Sequence, residues 1–240
     1  MILGLLQART SSTRLPGKVI LPILGKPMIL HQIDRIGRAN LIDKLVLVTS
    51  SDDTDEALAE ACLDYGVPVY RGSLDDVLDR FYQAALLENP DHIVRLTGDC
   101  PLADPEIIDR VCQFHLNGGF DYSSNVHPPT WPDGLDVEIF SMEKLADAWN
   151  EAQDKFDHEH VTPWMLRQGF SLGNVVNQLD LSGLRWTVDE PEDLEFARRI
   201  FEGLYEKNQN FGVDKILDFL GNNPEIQAIN QHFVRNAGSA

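Results

Sequence analysis

The first hundred residues alternate short apolar runs with amphipathic stretches, and this alternation narrows the fold more than any other feature of the chain. The runs ILGLLQA (2–8), KLVLVTS (44–50), VPVYRG (67–72) and HIVRLTGD (92–99) each read as a buried strand. Between them, residues 27–38, 53–65 and 74–87 carry helical patterning. The second of these opens behind Ser51 and Asp52, with Asp53, Asp55 and Glu56 in its first turn, where carboxylates favour a helix N-terminus. Repeated strand–helix–strand units predict parallel pairing with right-handed crossovers. A ligand site is then expected at the carboxyl ends of the strands. The rhythm changes after Asp121. A Pro-rich loop (127–134) leads into a strand candidate at 134–140, with helical patches at 141–152 and 158–168. Residues 172–178 and 185–189 read as further strands, and the tail from Pro191 reads as mostly helical. The last five residues, 236–240, are expected to fray.

Composition limits the partners. Twenty basic against 38 acidic residues give a net charge of −18. Such a chain is ill suited to non-specific nucleic-acid binding, which depends on releasing phosphate counterions, or to anionic lipid. Its 240 residues suit a single domain. Three cysteines, Cys62, Cys100 and Cys112, form no CxxC pair and suggest reduced thiols and a cytoplasmic address. No apolar run approaches the roughly 18–20 residues of a membrane span, and the N-terminus lacks the basic region of a signal peptide. Gly-x-Gly, a Walker A loop and Gly-x-Ser-x-Gly are all missing.

Against that acidic background the loop after the first strand is distinctive. Residues 7–18, QARTSSTRLPGK, hold Arg9, Arg14, Lys18, four hydroxyls and Gly17. Fixed cations with hydroxyls and free backbone N–H groups suit a polyphosphate. A second segment, LTGDCPL (96–102), ends a strand with Gly98 and the lone carboxylate of Asp99. Asp104 caps the following helix, which leaves Asp99 available to a hard cation. A third, WTVDEPEDL (186–194), places Asp189 before Pro191 at the first turn of a helix. On its residues alone Asp189 reads equally as a helix cap, and Asp193 faces the helix N-terminus.

The pattern Arg-x-x-Ser-x-Arg-Leu-Pro-Gly-Lys over 9–18, with GKPMILHQIDR over 25–35, resembles the nucleotide-binding signature of the sugar-acid cytidylyltransferases. These enzymes activate ulosonic acids such as acylneuraminate or 3-deoxy-manno-octulosonate. The match is nearest to the branch containing the spore-coat polysaccharide biosynthesis protein F-like sequences and extends to about Arg199. The resemblance implies an α/β fold of the nucleotide-diphospho-sugar transferase type: a Rossmann-like mixed sheet flanked by helices, one domain over 1–240, with 121–180 as a small acceptor and dimer subdomain. It implies transfer of CMP from CTP to the anomeric hydroxyl of a sugar acid, with release of pyrophosphate, in a cytoplasmic homodimer. Gln7, Ala8, Arg9, Ser11, Ser12, Arg14 and Lys18 would hold the nucleotide, with Arg71, Ser73 and Asp76 near base and ribose. Arg14, Lys18, Asp99 and Asp189 would be catalytic, the two aspartates as Mg²⁺ ligands. Read from their residues, Asp136 and Glu138, expected on one face of a strand, could bind sugar hydroxyls, and His160 could bind a sugar carboxylate or satisfy a core hydrogen bond. Asp79 and Arg80 could equally form a surface ion pair worth little. The tryptophans Trp131, Trp149, Trp164 and Trp186 read as packing residues. Rival readings are a sugar-1-phosphate nucleotidyltransferase, a metal-dependent glycosyltransferase of similar fold, and a non-catalytic nucleotide-binding subunit. The glycosyltransferase wants Asp-x-Asp after a mid-sheet strand, where this chain has Asp99-Cys100-Pro101.

Overall fold

A computed structural model describes residues 1–235; the expected fraying at 236–240 lies outside the described residues. In chain order the first half comprises β1 (Ile2–Gln7), β2 (Pro22–Ile23), β3 (Lys26–Pro27), α1 (Met28–Ile36), β4 (Lys44–Ser50), α2 (Glu56–Asp64), β5 (Val69–Gly72), α3 (Val77–Glu88), β6 (His92–Thr97) and α4 (Pro105–Gly118). Then come β7 (Tyr122–Ser124), β8 (Glu138–Ser141), α5 (Met142–Glu151), α6 (Lys155–His160), α7 (Pro163–Leu166) and β9 (Leu172–Asn174). Helices α8 (Pro191–Leu204), α9 (Val213–Asn222) and α10 (Pro224–Gln227) close the described chain.

Seven strands form one mixed sheet in the order β5-β4-β1-β6-β8-β7-β9. β5, β4, β1 and β6 are parallel, as their helical crossovers require. β8 runs antiparallel to both β6 and β7. The segment 121–180 thus contributes β7, β8 and β9 to the sheet of the first half. Two cores cover its two faces. Leu6, Leu47 and Val94 pack with α1, α2, α4, α8 and α9, while Leu5, Val48 and Ile93 pack with α3, α5 and α7. The alternation of Leu5 and Leu6 along β1 is the strand period expressed in burial. Trp131, Trp164 and Trp186 are buried, and Trp149 stacks on Tyr82. No described helix is long and apolar enough to cross a membrane.

Some expected elements differ. Residues 185–189 form no strand; they make one isolated bridge, Asp133 to Arg185. The stretch 134–140 pairs only from Glu138 onward, so Asp136 precedes the strand instead of sharing its face with Glu138. The patch 158–168 breaks at Val161, whose φ of +71° ends α6 before α7 begins. The β2–β3 hairpin and β7 are two or three residues long, too short to show a period.

The bridge depends on Gly134. Its φ is +104°, and a Cβ there would lie 2.5 Å from the Thr187 nitrogen and 2.6 Å from the Trp186 carbonyl carbon. Both are backbone atoms and cannot swing aside. Gly134→Ala is therefore expected to lower stability by at least about 2 kcal/mol, read as a drop in the urea midpoint at unchanged slope. A stability within about 0.5 kcal/mol of wild type would contradict this packing.

Candidate active site

The strand order reverses direction between β1 and β6: β4 and β5 extend one way from β1, and β6 lies on its other side. Open parallel sheets bind ligands at the carboxyl edge of such a switch point. A cleft of about 340 Å³ opens there. Gly98 makes the approach possible, since a Cβ would stand 2.6 Å from that of Ala8, and its N–H donates to the Gln7 carbonyl at 2.7 Å.

The loop 7–18 wraps one wall. It is anchored at its start by Asp55, which is fully buried and accepts from the Thr10 N–H at 2.7 Å, the Thr10 hydroxyl and the Ser50 hydroxyl. Those hydrogen bonds outweigh burial and hold the Asp55 carboxyl below its usual range. At its far end Gly17, at φ +69°, donates back to the Thr10 carbonyl at 2.8 Å. The loop is thus a closed ring presenting Arg9, Ser11, Ser12, Thr13, Arg14 and Lys18 to the cleft.

Lys18 occupies the centre. Its Nζ lies 2.8 Å from Asp189 Oδ1 and 3.3 Å from Asp99 Oδ2. Burial opposes its charge, but the two aspartates prevail and its pKa is raised. Burial likewise pushes the Asp99 carboxyl up, and Lys18 with hydrogen bonds from Thr97 and Cys100 brings it down to about 2. Asp189 also takes Arg14 at 2.9 Å. It is not the helix cap: Glu190 holds that position, and Asp193 accepts the N–H groups of both Asp189 and Glu190. Arg185 and Asn230 clamp Asp193 in turn. Asp189 is left facing the cleft. Asp104, by contrast, caps α4 through the Glu106 and Ile107 N–H groups.

The walls bring together Gln7, Ala8, Arg9, Ser11, Ser12, Arg14, Lys18, Asp99, Asp189 and His160. They do not include Arg71, Ser73, Asp76, Asp136 or Glu138. Arg71 staples β5 to the turn after β4 through the Ser50 and Asp52 carbonyls and Glu56. The Ser73 hydroxyl accepts from the Asp76 N–H, and Asp76 caps α3 through the Asp79 N–H. Asp136 accepts from Arg235 at 2.6 Å, and burial raises its pKa to about 7 against that guanidinium. Glu138 is buried, paired with Arg95 and hydrogen-bonded to the Tyr122 and Thr162 hydroxyls.

Arg80 does not form the surface ion pair with Asp79 that the sequence left open. It is 2% exposed, lines the cleft, and its Nε and Nη1 have no hydrogen-bond partner among the described residues. Asp79 instead accepts from Trp149 and Gln83. A readable signal existed: Arg80 stands three residues after Val77 and four before Ala84, on the buried stripe of α3. With Arg9, Arg14 and Lys18 it gives the cleft four cations against Asp99, Glu159 and Asp189, so this wall is positive in a strongly acidic protein.

Fold and cleft together define a phosphate-handling enzyme of the nucleotidyltransferase type. Residues 3–212 match the family model for cytidylyltransferases, and the chain belongs to that family. It is 31% identical to the spore coat polysaccharide biosynthesis protein SpsF of Bacillus subtilis, over 93% of this chain and 95% of that one. A 3-deoxy-manno-octulosonate cytidylyltransferase of Geobacter metallireducens is 36% identical over 198 residues, covering 71% of this chain and 76% of its own. The solved structure of a cytidylyltransferase from Leptospira borgpetersenii superposes with a TM-score of 0.89 at 30% identity, over 98% of this chain and 97% of that one.

The helix that carries Glu159 and His160 into the cleft is held by a titratable pair. His158 Nδ1 lies 2.9 Å from Asp76 Oδ2, and Nε2 lies 3.2 Å from the Ala152 carbonyl. Both partners are oxygens that accept, so the pair is complete when both ring nitrogens of His158 carry hydrogen. The hydrogen bond to Asp76 outweighs burial and raises its pKa above 6.5. A raised folded-state pKa gives stability that is complete below the unfolded value and is lost as pH climbs through the folded one. His158→Ala should therefore lower Tm at about pH 5.5 and have almost no effect at about pH 9, the difference amounting to ~1 kcal/mol or less for so accessible a pair. Equal losses at both pH values would show that packing, not the ion pair, holds α6 to α3.

Proposed function

We propose that this protein transfers CMP from CTP to the anomeric hydroxyl of a sugar acid, releasing pyrophosphate, to supply surface polysaccharide synthesis. The observation that carries this reading is the convergence of Asp99 and Asp189 on one cation, the Lys18 ammonium, at the foot of the cation-lined loop. Carboxylates from two distant segments that share a cation fit a site for a divalent metal on a nucleotide, and the ammonium stands in for that ion. Among the described residues no three His, Cys, Asp or Glu side chains form a metal cage. Two carboxylates with phosphates and water as the other ligands suit Mg²⁺, which keeps a partly hydrated shell. When bound, such an ion neutralises charge on the reacting phosphate.

The residues of the chain divide the remaining work. Lys18 and Arg14 exchange their aspartate partners for phosphate oxygens when the nucleotide enters. Arg9, Ser11 and Ser12 add donors along the same loop, and Arg80 offers the cleft a cation with no internal partner. The anomeric oxygen attacks the α-phosphorus, the bond to the β-phosphate bridging oxygen breaks, and pyrophosphate leaves with its charge matched by the loop cations. The hydroxyl proton passes to solvent. Such a reaction rests on positioning and charge stabilisation and needs no nucleophilic side chain. In this reading residues 121–180 form the acceptor side, and the exposed Leu172, Val176 and Leu179 suit a homodimer contact.

Pyrophosphate release with each nucleoside triphosphate against a panel of sugar acids tests the reading directly. CTP with a sugar acid should be the productive pair; preference for another base, or for sugar phosphates, would replace it. Asp99→Asn and Asp189→Asn should each abolish most turnover, and the double variant should be little worse, because both act through one ion. If Asp189→Asn keeps near-normal Mg²⁺-dependent activity, the metal is held without it.

Arg80 gives a sharper contrast. An unpaired buried guanidinium is costly to the apo protein, and burial lowers its pKa. Arg80→Met should therefore hold or raise Tm while weakening CTP binding by about 1.5–3 kcal/mol, the worth of a charged hydrogen bond. Calorimetry beside a melting curve separates the two effects; lost stability with intact affinity would make Arg80 a packing residue.

A further inference from the structure

A buried polar chain runs across the sheet beneath the cleft, and the proposed reaction does not yet use it. Arg95 on β6 stands opposite Glu138 on β8 in register, and the two are paired. Glu138 is closed off on its other oxygen by the Tyr122 hydroxyl at 2.6 Å and the Thr162 hydroxyl at 2.7 Å. The Arg95 guanidinium is therefore held in place through β8, with β7 and the turn between α6 and α7 behind it. Its Nε donates to Gln7 Oε1 at 3.1 Å.

That bond decides which way the Gln7 amide faces. Arginine only donates, so the amide must turn its oxygen toward Arg95. Its NH₂ then points elsewhere. Gln7 lines the cleft, and its Nε2 has no protein partner among the described residues and is not among the sealed, unsatisfied atoms. The cleft thus receives a fixed donor at this point. The direction matters as well. Arg95 draws the side chain toward β6 and β8, the side that bears Thr162 and α6, and away from β4 and β5. His160 and Arg9 line the same cleft, and both ring nitrogens of His160 are without a partner among the described residues. Glu159, the carboxylate next to His160 in the chain, is exposed and lies 4.0 Å from Arg9. This corner offers donors and suits an anionic oxygen.

We propose that Arg95 is a positioning residue that turns the Gln7 amide so that its NH₂ meets the carboxylate of the sugar-acid acceptor. The inference rests on the acceptor class proposed above and adds the place where its carboxylate is read. Glu138, expected to touch the sugar, acts instead from below by holding Arg95.

Gln7→Glu is nearly isosteric. It keeps an oxygen for Arg95 and puts a second oxygen where the donor was. A double variant, Arg95→Met with Glu138→Gln, removes the support without leaving an unpaired buried charge. The probes are 3-deoxy-manno-octulosonate and N-acetylneuraminate, each compared with its carboxamide, in a pyrophosphate-release assay. Calorimetry with CTP and Mg²⁺ and a melting curve accompany each variant. Gln7→Glu should raise the acceptor KM at least tenfold, a larger factor than any loss of CTP affinity, and erase the preference for acid over amide. The double variant should raise acceptor KM in the same direction while still binding CTP. An unchanged acid-to-amide preference in both variants would overturn the inference, as would a loss of CTP affinity with acceptor KM intact, which would assign the amide to the nucleotide. A wild-type protein that releases pyrophosphate with no sugar acid would instead remove the acceptor class beneath it.

Discussion

One ammonium holds the site together. Lys18 reaches from the loop after β1 to aspartates that follow β6 and precede α8, and its contacts tie the nucleotide loop to both. Without a cation between them, two carboxylates at this spacing repel, and one of them must take a proton. Lys18 removes that conflict and keeps Asp99 ionised. The same arrangement leaves Asp99 and Asp189 neutralised within the apo site by Lys18 and Arg14. A triphosphate that claims Lys18 and Arg14 uncovers negative charge on Asp99 and Asp189, and a divalent cation on the triphosphate restores the balance. Nucleotide and metal are then expected to bind as a unit, each removing the counter-charge the other needs removed.

Much of this was legible in the chain. The four parallel strands and their crossovers follow from apolar runs long enough to display a pattern, and the switch-point location follows from that topology. Arg9, Arg14, Lys18 and Asp99 stand beside strand ends, so their place in the cleft follows from local position. The residues at 71–76 also lie at a strand end, yet they turn away. Arg71 finds carbonyls at Ser50 and Asp52 that only the folded β4–β5 edge brings near. Asp189 could not be told from a helix cap because the residue that frees it, Asp193, is itself fixed by Arg185 and by Asn230 from the far tail. Glu138 was read as facing a ligand because alternation says which residues share a face and not what covers that face. Here Tyr122, Arg95 and Thr162 cover it.

The parts that anchor the loop are different in kind from the parts that aim it. Asp55 and Gly17 close it into a ring through backbone and hydroxyl contacts. They would persist whatever the cleft contained. Lys18, Arg14 and Arg80 hold charge in reserve, two in pairs that a ligand can exchange and one with no ion pair among the described residues. Rigid scaffolding with exchangeable or uncommitted cations is a way to recognise a highly charged substrate without reorganising the backbone.

The reversal of β8 carries an evolutionary consequence. Because β8 runs against β6, the chain entering it from 125–137 arrives at the same sheet edge where β1 and β6 end. Two stretches more than a hundred residues apart in sequence therefore meet the same edge of the sheet. Neither anchor of the nucleotide loop, Asp55 or the Gly17–Thr10 closure, lies in that entering segment. Outside Asp133 and Gly134, which bridge to the segment bearing Asp189, its side chains can drift through generations while the grip on the triphosphate is inherited intact. In the proposed reaction, a lineage can exchange one sugar for another without reinventing the chemistry that activates it.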